Sequence, residues 1–120
     1  MTDKLVFLVT CGSRKEAQRL ARAIVEARLA ACVNLITAPV ESVYRWKGRV
    51  ERAKEFLLLI KTTRRNSEEL RREIERLHSY DTPEIIALPV YTGSRDYLDW
   101  IDESLSDREK KRAKRRSRKS

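Results

Sequence analysis

Two long extended segments, residues 31–46 and 49–62, flank the dipeptide Lys47-Gly48 and constrain the fold more than any other feature of this chain. A two-residue hairpin turn requires positive φ, which Gly48 supplies without steric cost. Each arm spans about 14 residues, whereas a typical strand has about five or six. The sequence therefore predicts a β-hairpin whose tip, from about Glu41 to Ala53, extends beyond the body of the domain.

The rest of the chain supplies alternating strands and helices. Residues 4–10 form an uninterrupted apolar strand, and Ser13 with Glu16 predicts an N-terminal capping box for the helix that follows. Apolar residues in that helix recur at i, i+3 and i+4, as in an amphipathic helix. The later elements are a second amphipathic helix that ends near residue 78, a strand after residue 83 and a short helix after residue 94.

The resulting order, β-α-β-β-α-β-α, is the split βαβ arrangement of ferredoxin-like domains. In this topology the first and third strands are central, and the second and fourth lie at the edges. The most continuously apolar segments, LVFLV and FLLLI, suit the central positions. Pro39 and Pro89 fall in the edge strands, where a missing N–H is tolerated. We therefore predict one α+β, ferredoxin-like domain over residues 1–106.

The formal net charge of +9 is concentrated at the C-terminus. Residues 108–120 carry nine Lys or Arg and one Glu, whereas residues 1–107 carry 18 basic and 17 acidic side chains. The basic segment has no hydrophobic periodicity, so residues 107–120 are expected to form a disordered tail. Its charge predicts weak, nonspecific contact with nucleic acid through phosphates.

Several functional classes are disfavoured by what the sequence lacks. Its apolar runs are shorter than the about 18 residues of a membrane helix, and its N-terminus does not have the layout of a secretory signal. We therefore expect a cytoplasmic protein with no membrane association. The two cysteines lack the spacing of a disulfide framework or a zinc clip. No nucleotide-binding loop or nucleophile motif is present, so enzymatic activity is not expected.

The hairpin tip carries large apolar and aromatic side chains that a monomer would leave exposed. These are Val43, Tyr44, Trp46 and Val50. Together with unpaired strand edges, such a surface favours aggregation unless something covers it. We expect a second copy of the chain to cover it, and we favour subunit packing over a solvated arm and over a base-stacking platform.

The two cysteines and the single histidine are the candidate metal ligands. In the predicted topology Cys11 ends the first strand, whereas Cys32 begins the second strand at the opposite end of the sheet. His78 ends the second helix, which returns the chain to the end where Cys11 lies. A thiolate and an imidazole suit copper or zinc, and Asp81 or Glu84 could add oxygen ligands. A buried structural cysteine and a histidine that complements a helix dipole are the alternative interpretation.

Several segments of the chain resemble, in the same order, the CutA divalent-cation tolerance family. They are LAACVN (29–34), SVYRWKG (42–48), LLIKTT (58–63), SYDTPEIIALPV (79–90) and YLDW (97–100). The resemblance covers residues 5–104. It implies a ferredoxin-like subunit in a cytoplasmic homotrimer that is associated with tolerance of copper and other divalent cations.

The resemblance also implies a copper site, for which the matching positions here are Cys11 and His78. Some members of the family have two adjacent histidines, and Leu77 occupies the first of these positions. Ser79 stands where proline commonly follows the histidine. Two functions remain open at this point. One is a trimer that binds or responds to divalent metals, and the other is a PII-like signalling or scaffolding trimer that binds a small ligand or partner protein at clefts between subunits.

Overall fold

The computed structural model describes residues 1–106; the predicted basic tail, residues 107–120, lies outside that description. Within residues 1–106 the chain forms a five-stranded antiparallel sheet and three α-helices, which confirms the predicted α+β class. The elements in chain order are β1 (Lys4–Cys11), α1 (Arg14–Glu26), β2 (Cys32–Leu35), β3 (Val40–Trp46), β4 (Arg49–Thr63), α2 (Ser67–Leu77), β5 (Ile85–Pro89) and α3 (residues 95–106).

The strand order of the sheet is β2-β4-β1-β5, and β3 continues the hairpin by pairing with the first half of β4. Strand β1 is therefore central, with Leu8 opposite Leu59 of β4 on one side and Ile86 of β5 on the other. All of these pairs are antiparallel. The central positions predicted for the two most continuously apolar segments are confirmed.

The first extended segment of the hairpin, residues 31–46, was predicted as continuous but is divided into β2 and β3. Leu35 pairs with Leu58, and Val40 pairs with Glu55. Five residue steps from β2 to β3 therefore face only three on β4. The two additional residues form a bulge that ends at Pro39, which has no N–H to donate to the ladder. The prediction of one continuous strand was wrong because the bulge shifts the pairing register with β4 between β2 and β3.

The turn of the hairpin has the predicted two residues. Lys47 and Gly48 have φ values of 50° and 79°, and they join the pair formed by Trp46 and Arg49. Positive φ at both central positions matches the right-handed twist of the flanking strands. The turn thereby keeps β3 in register with β4 along the whole projecting segment, residues 40–55, which we call the arm.

Helices α1 and α2 cover one face of the sheet. The Ser13 hydroxyl accepts a hydrogen bond from the Glu16 N–H at 3.2 Å, as the predicted N-cap requires. The buried core between these helices and the strands includes Phe7, Val9, Leu20, Ile24, Leu58, Ile60, Leu70 and Ile74. Helix α3 packs separately, through Ile101 and Leu105 against Ala31.

The other face of the sheet is also apolar, and the helices within residues 1–106 leave part of it exposed. Leu8, Leu59 and Ile86 lie opposite one another across the three adjacent strands, and Ile86 is half exposed. Leu88, beside Val6, is likewise half exposed. This second apolar face, together with the arm, gives residues 1–106 a broad exposed apolar surface. Among residues 1–106, no helix has the length and apolar character needed to cross a membrane.

Candidate metal centre and adjoining cleft

Cys11 and His78 lie side by side, although 67 residues separate them in the sequence. Cys11 is the last residue of β1, and His78 directly follows α2, where its N–H donates to the Ile74 carbonyl at 2.9 Å. The Cys11 Sγ and the His78 Nε2 are 3.7 Å apart. Both side chains are buried. The proximity predicted from topology is confirmed, and the metal role of the pair is taken up below.

Both ring nitrogens of His78 already have hydrogen-bond partners. Nε2 lies 2.8 Å from the Thr10 carbonyl oxygen, which can only accept, so Nε2 carries the proton and donates. Nδ1 accepts from the Tyr80 N–H at 3.1 Å. The described chain therefore holds a neutral imidazole in one tautomer, and a metal ion at Nε2 would have to replace the bond to Thr10.

Glu16 completes a cluster of three potential ligands with Cys11 and His78. One ligand atom from each of the three residues lies within 4.8 Å of the others. The Glu16 Oε1 is buried and receives no hydrogen bond from the described residues. Such an orphaned oxygen is expensive in a folded protein unless a ligand satisfies it. In the sequence, Glu16 was interpreted only as a capping residue; its position five residues after Cys11, in the first turn of α1, was the signal that could have identified it.

The electrostatic environment keeps Cys11 protonated. Burial, followed by the neighbouring Glu16 carboxylate, raises the pKa of the Cys11 thiol from 9.0 to about 12. Because a thiolate and not a thiol ligates metals, a metal ion must displace this proton. Leu77, which the family resemblance places at a histidine position, lines a small groove together with Glu16.

Asp81 and Glu84, predicted as auxiliary ligands, line a neighbouring cleft of about 590 Å³. The cleft lies between the arm and the segment after His78, and Glu55 of β4 is a third acidic residue in its wall. The Tyr80 hydroxyl donates to Glu55 Oε2 at 3.2 Å. Burial and the Glu55 carboxylate raise the pKa of Tyr80 to about 12. Within residues 1–106, only Cys11, Glu16 and His78 bring ligand atoms close enough to share one ion.

The other residues singled out in the sequence are Cys32 and four side chains of the arm. Cys32 begins β2, and its partner on β4 is Lys61, whereas the partner of Cys11 is Phe56. Five residues of extended strand therefore separate the two cysteines along β4, about 17 Å at the usual rise. The four side chains predicted at a subunit interface are exposed on the arm of the single chain: Val43, Tyr44, Trp46 and Val50.

Comparison with known proteins places this chain in a family. Residues 5–104 match the family described as CutA1 divalent ion tolerance protein. The chain is 46% identical over 99 residues to the divalent-cation tolerance protein CutA of Thermus thermophilus, covering 82% of this chain and 95% of that protein. It is 46% identical over 102 residues to human protein CutA, covering 82% of this chain and 56% of the human protein.

Solved structures agree with the sequence relationship. A structure described as the periplasmic divalent cation tolerance protein CutA from Archaeoglobus fulgidus superposes with a TM-score of 0.82 at 40% identity, covering 85% of this chain and 98% of that one. The Thermus thermophilus divalent cation tolerance protein superposes with a TM-score of 0.79 at 46% identity, covering 82% and 94%. By sequence and by structure, then, this chain belongs to the CutA1 divalent ion tolerance protein family.

Proposed function

We propose that this protein binds copper, and other divalent cations less tightly, through Cys11, Glu16 and His78. The observation that carries the proposal is the convergence of a thiol, a carboxylate and an imidazole within 4.8 Å. Copper(II) heads the divalent affinity order, and copper(I) favours thiolate. The role is one of binding, and we propose no catalytic step. Membership of a divalent ion tolerance family supports the same assignment.

The oxygen ligand in this proposal is Glu16 rather than Asp81 or Glu84. Its Oε1 is buried and receives no hydrogen bond from residues 1–106, whereas the other two carboxylates are exposed in the cleft. Binding must release the Cys11 proton and replace the hydrogen bond between His78 and Thr10. Both requirements reduce affinity, and the first makes affinity fall as pH decreases from about 8 to about 5.

We further propose that the protein works as a homotrimer. The second apolar face of the sheet and the aromatic side chains of the arm are exposed on the single chain. An uncovered apolar surface of this kind is typical of a protein-protein interface. Heterologous, ring-closing contacts between identical chains would cover both regions at once, and a three-fold ring agrees with the assembly implied by the family resemblance.

Native mass spectrometry of the full chain, purified without chelator and then titrated with copper, tests both parts. We expect three chains and up to three bound copper ions per particle. Cys11→Ala should lose copper, whereas Cys32→Ala, the matched control at the other end of the sheet, should retain it. A copper-free particle, or equal binding by both variants, would refute the metal assignment; a monomer or dimer would refute the trimer.

The cytoplasm is the proposed compartment. The Archaeoglobus fulgidus relative is described as periplasmic, so location is a separate question for this chain. Fractionation of cells that produce the full chain should place it with cytoplasmic markers. Recovery with periplasmic markers would refute this part and leave the metal-binding proposal intact.

A further inference from the structure

The proposed metal ligands need a route to solvent, because Cys11 is fully buried and His78 is only 9% exposed. An entry path is as much a requirement of a metal site as the ligands themselves. One opening near the pair is the cleft of about 590 Å³ beside the arm. Another is a groove of about 210 Å³ between α1 and α2.

Tyr80 separates the cleft from the pair. Its ring lines the cleft and lies against the ring of His78, with the two centroids 4.8 Å apart. Its hydroxyl donates to Glu55 at 3.2 Å. Gly12 allows the ring to approach the backbone next to Cys11, since a Cβ at Gly12 would lie only 2.8 Å from the Tyr80 hydroxyl oxygen. Three contacts thus hold the ring beside the pair, which disfavours passage from the cleft.

Glu16 connects the groove with the pair. It lines the groove, and one of its carboxylate oxygens lies within 4.8 Å of the ligand atoms of Cys11 and His78. Unlike those two residues, Glu16 is only partly buried. Its Oε1 receives no hydrogen bond from residues 1–106 and can therefore accept an incoming ion. Of the three proposed ligands, Glu16 is the one that faces both the groove and the buried pair.

The walls of the groove limit what can pass. Besides Glu16, the lining residues are Arg19, Leu20, Ala23 and Leu77. The volume is below the about 300–1,000 Å³ of a small-molecule site, so the groove suits an ion or a very small reagent. Helices α1 and α2 cover the face of the sheet opposite the proposed subunit interface. The groove therefore stays open to solvent in the proposed assembly.

We propose that copper reaches its ligands through the groove between α1 and α2, where Glu16 is the first ligand it meets and Leu77 restricts its passage. The inference rests on the metal-binding function proposed above and adds the route and its kinetic control. A side chain that only narrows a route changes the association and dissociation rates by the same factor, because the bound state is unaltered. Arg19 carries a positive charge that opposes an approaching dication and should slow association.

Copper binding rates test the route in the Cys32→Ala background, where Cys11 is the only thiol. Stopped-flow absorbance of the copper–thiolate band gives association, and a chelator chase gives dissociation. Leu77→Ala should raise both rates at least fivefold and leave their ratio unchanged, whereas the bulkier Leu77→Phe should lower both. The matched control is Val25→Ala, since Val25 and Leu77 are each 37% exposed and Val25 is not in the groove lining. The control should change neither rate.

The charge at the groove has a separate test. Arg19→Gln should raise the association rate at low ionic strength, and the gain should shrink in about 0.5 M salt because salt screens the repulsion. Arg22→Gln removes the same charge from the next turn of α1 and should have a smaller effect. An equal gain in both variants would show that net charge, and not the groove, controls association.

A second readout does not need copper. The small uncharged reagent methyl methanethiosulfonate modifies Cys11 only if it reaches the buried sulfur. Leu77→Ala should speed this modification at least fivefold, and Val25→Ala should not, with urea denaturation to check that unfolding does not explain the difference. Unchanged rates in Leu77→Ala, or equal changes in the control, would overturn the route. If the wild type binds no copper but modification still responds to Leu77, the metal-binding function fails and the groove remains the access path to Cys11.

Discussion

The Cys11 Sγ lies 3.7 Å from the His78 Nε2, while that nitrogen donates a hydrogen bond to the Thr10 carbonyl oxygen. The pair is therefore held together in a form that is not yet ready to ligate. The thiol is protonated, and the imidazole nitrogen nearest the sulfur carries a hydrogen that is donated to the Thr10 carbonyl, so it offers no lone pair to a metal ion. Metal binding at this position has to be coupled to proton release and to a change of histidine tautomer, which predicts a moderate affinity that depends on pH.

Glu16→Gln should have opposite effects on stability and on copper binding. The change removes a charge from beside a buried thiol, so the free energy of unfolding without metal should rise by about 1 kcal/mol. The affinity for copper should fall at least tenfold because a neutral amide replaces the carboxylate ligand. Urea denaturation and calorimetry measure the two quantities. Glu103→Gln, an exposed control on α3, should alter neither; unchanged copper affinity in Glu16→Gln would remove Glu16 from the site.

Stability without metal should decrease above pH 9. The folded pKa of Cys11 is raised to about 12, so the unfolded chain loses this proton at lower pH than the folded chain. The resulting stabilisation is complete below about 9 and is lost as pH rises toward 12. Tyr80, whose pKa is also raised to about 12, acts in the same direction at slightly higher pH. We expect the free energy of unfolding, measured by urea denaturation at pH 7, 9 and 10.5, to decrease less steeply with pH in Cys11→Ser than in the wild type. An identical pH dependence would contradict the assignment.

Trp46→Ala should weaken the assembly. Trp46 is 52% exposed on the single chain, and truncation of an aromatic side chain packed at an interface costs about 3–5 kcal/mol. Sedimentation velocity over a dilution series should show dissociation at a higher concentration than for the wild type. Trp100→Ala, at a position 42% exposed on α3, is the control and should leave the assembly unchanged. A wild-type dilution profile for Trp46→Ala would show that the arm is simply solvated.

The second apolar face gives an independent test of the same assembly. Leu59→Glu places a charge at the centre of that face, where a monomer could expose it to water but a subunit interface would have to bury it. We expect smaller particles by light scattering with retained helical circular dichroism. Val25→Glu, on the exposed side of α1, is the matched control. If Leu59→Glu stays fully assembled, the face is not an interface.

Deletion of residues 108–120 should affect nucleic-acid binding alone. This segment carries nine Lys or Arg and one Glu, so any contact with DNA should be electrostatic and blind to sequence. Binding of the full chain to duplex DNA should weaken steeply with salt, and the truncated chain should not bind. Its assembly and melting temperature should match those of the full chain. Salt-insensitive binding by the truncated chain would contradict this role.

Local sequence signals were sufficient for most of the fold. The capping residue Ser13, the turn at Lys47 and Gly48 and the apolar periodicities each act through neighbours in the chain. Together they predict the order of elements and the central strands correctly. The bulge before Pro39 was missed because the register of two strands depends on how both pair across the sheet, which local propensity does not specify.

The sequence by itself also determined which end of the sheet holds Cys11 and His78, because topology alone brings a strand end and a helix end together. Only the tertiary structure decided the chemistry there. Burial and the adjacent Glu16 raise the pKa of the thiol, and Thr10 and Tyr80 select the histidine tautomer. These effects depend on distances of 2.8–4.8 Å between side chains and backbone groups, which three-dimensional packing sets and sequence spacing does not.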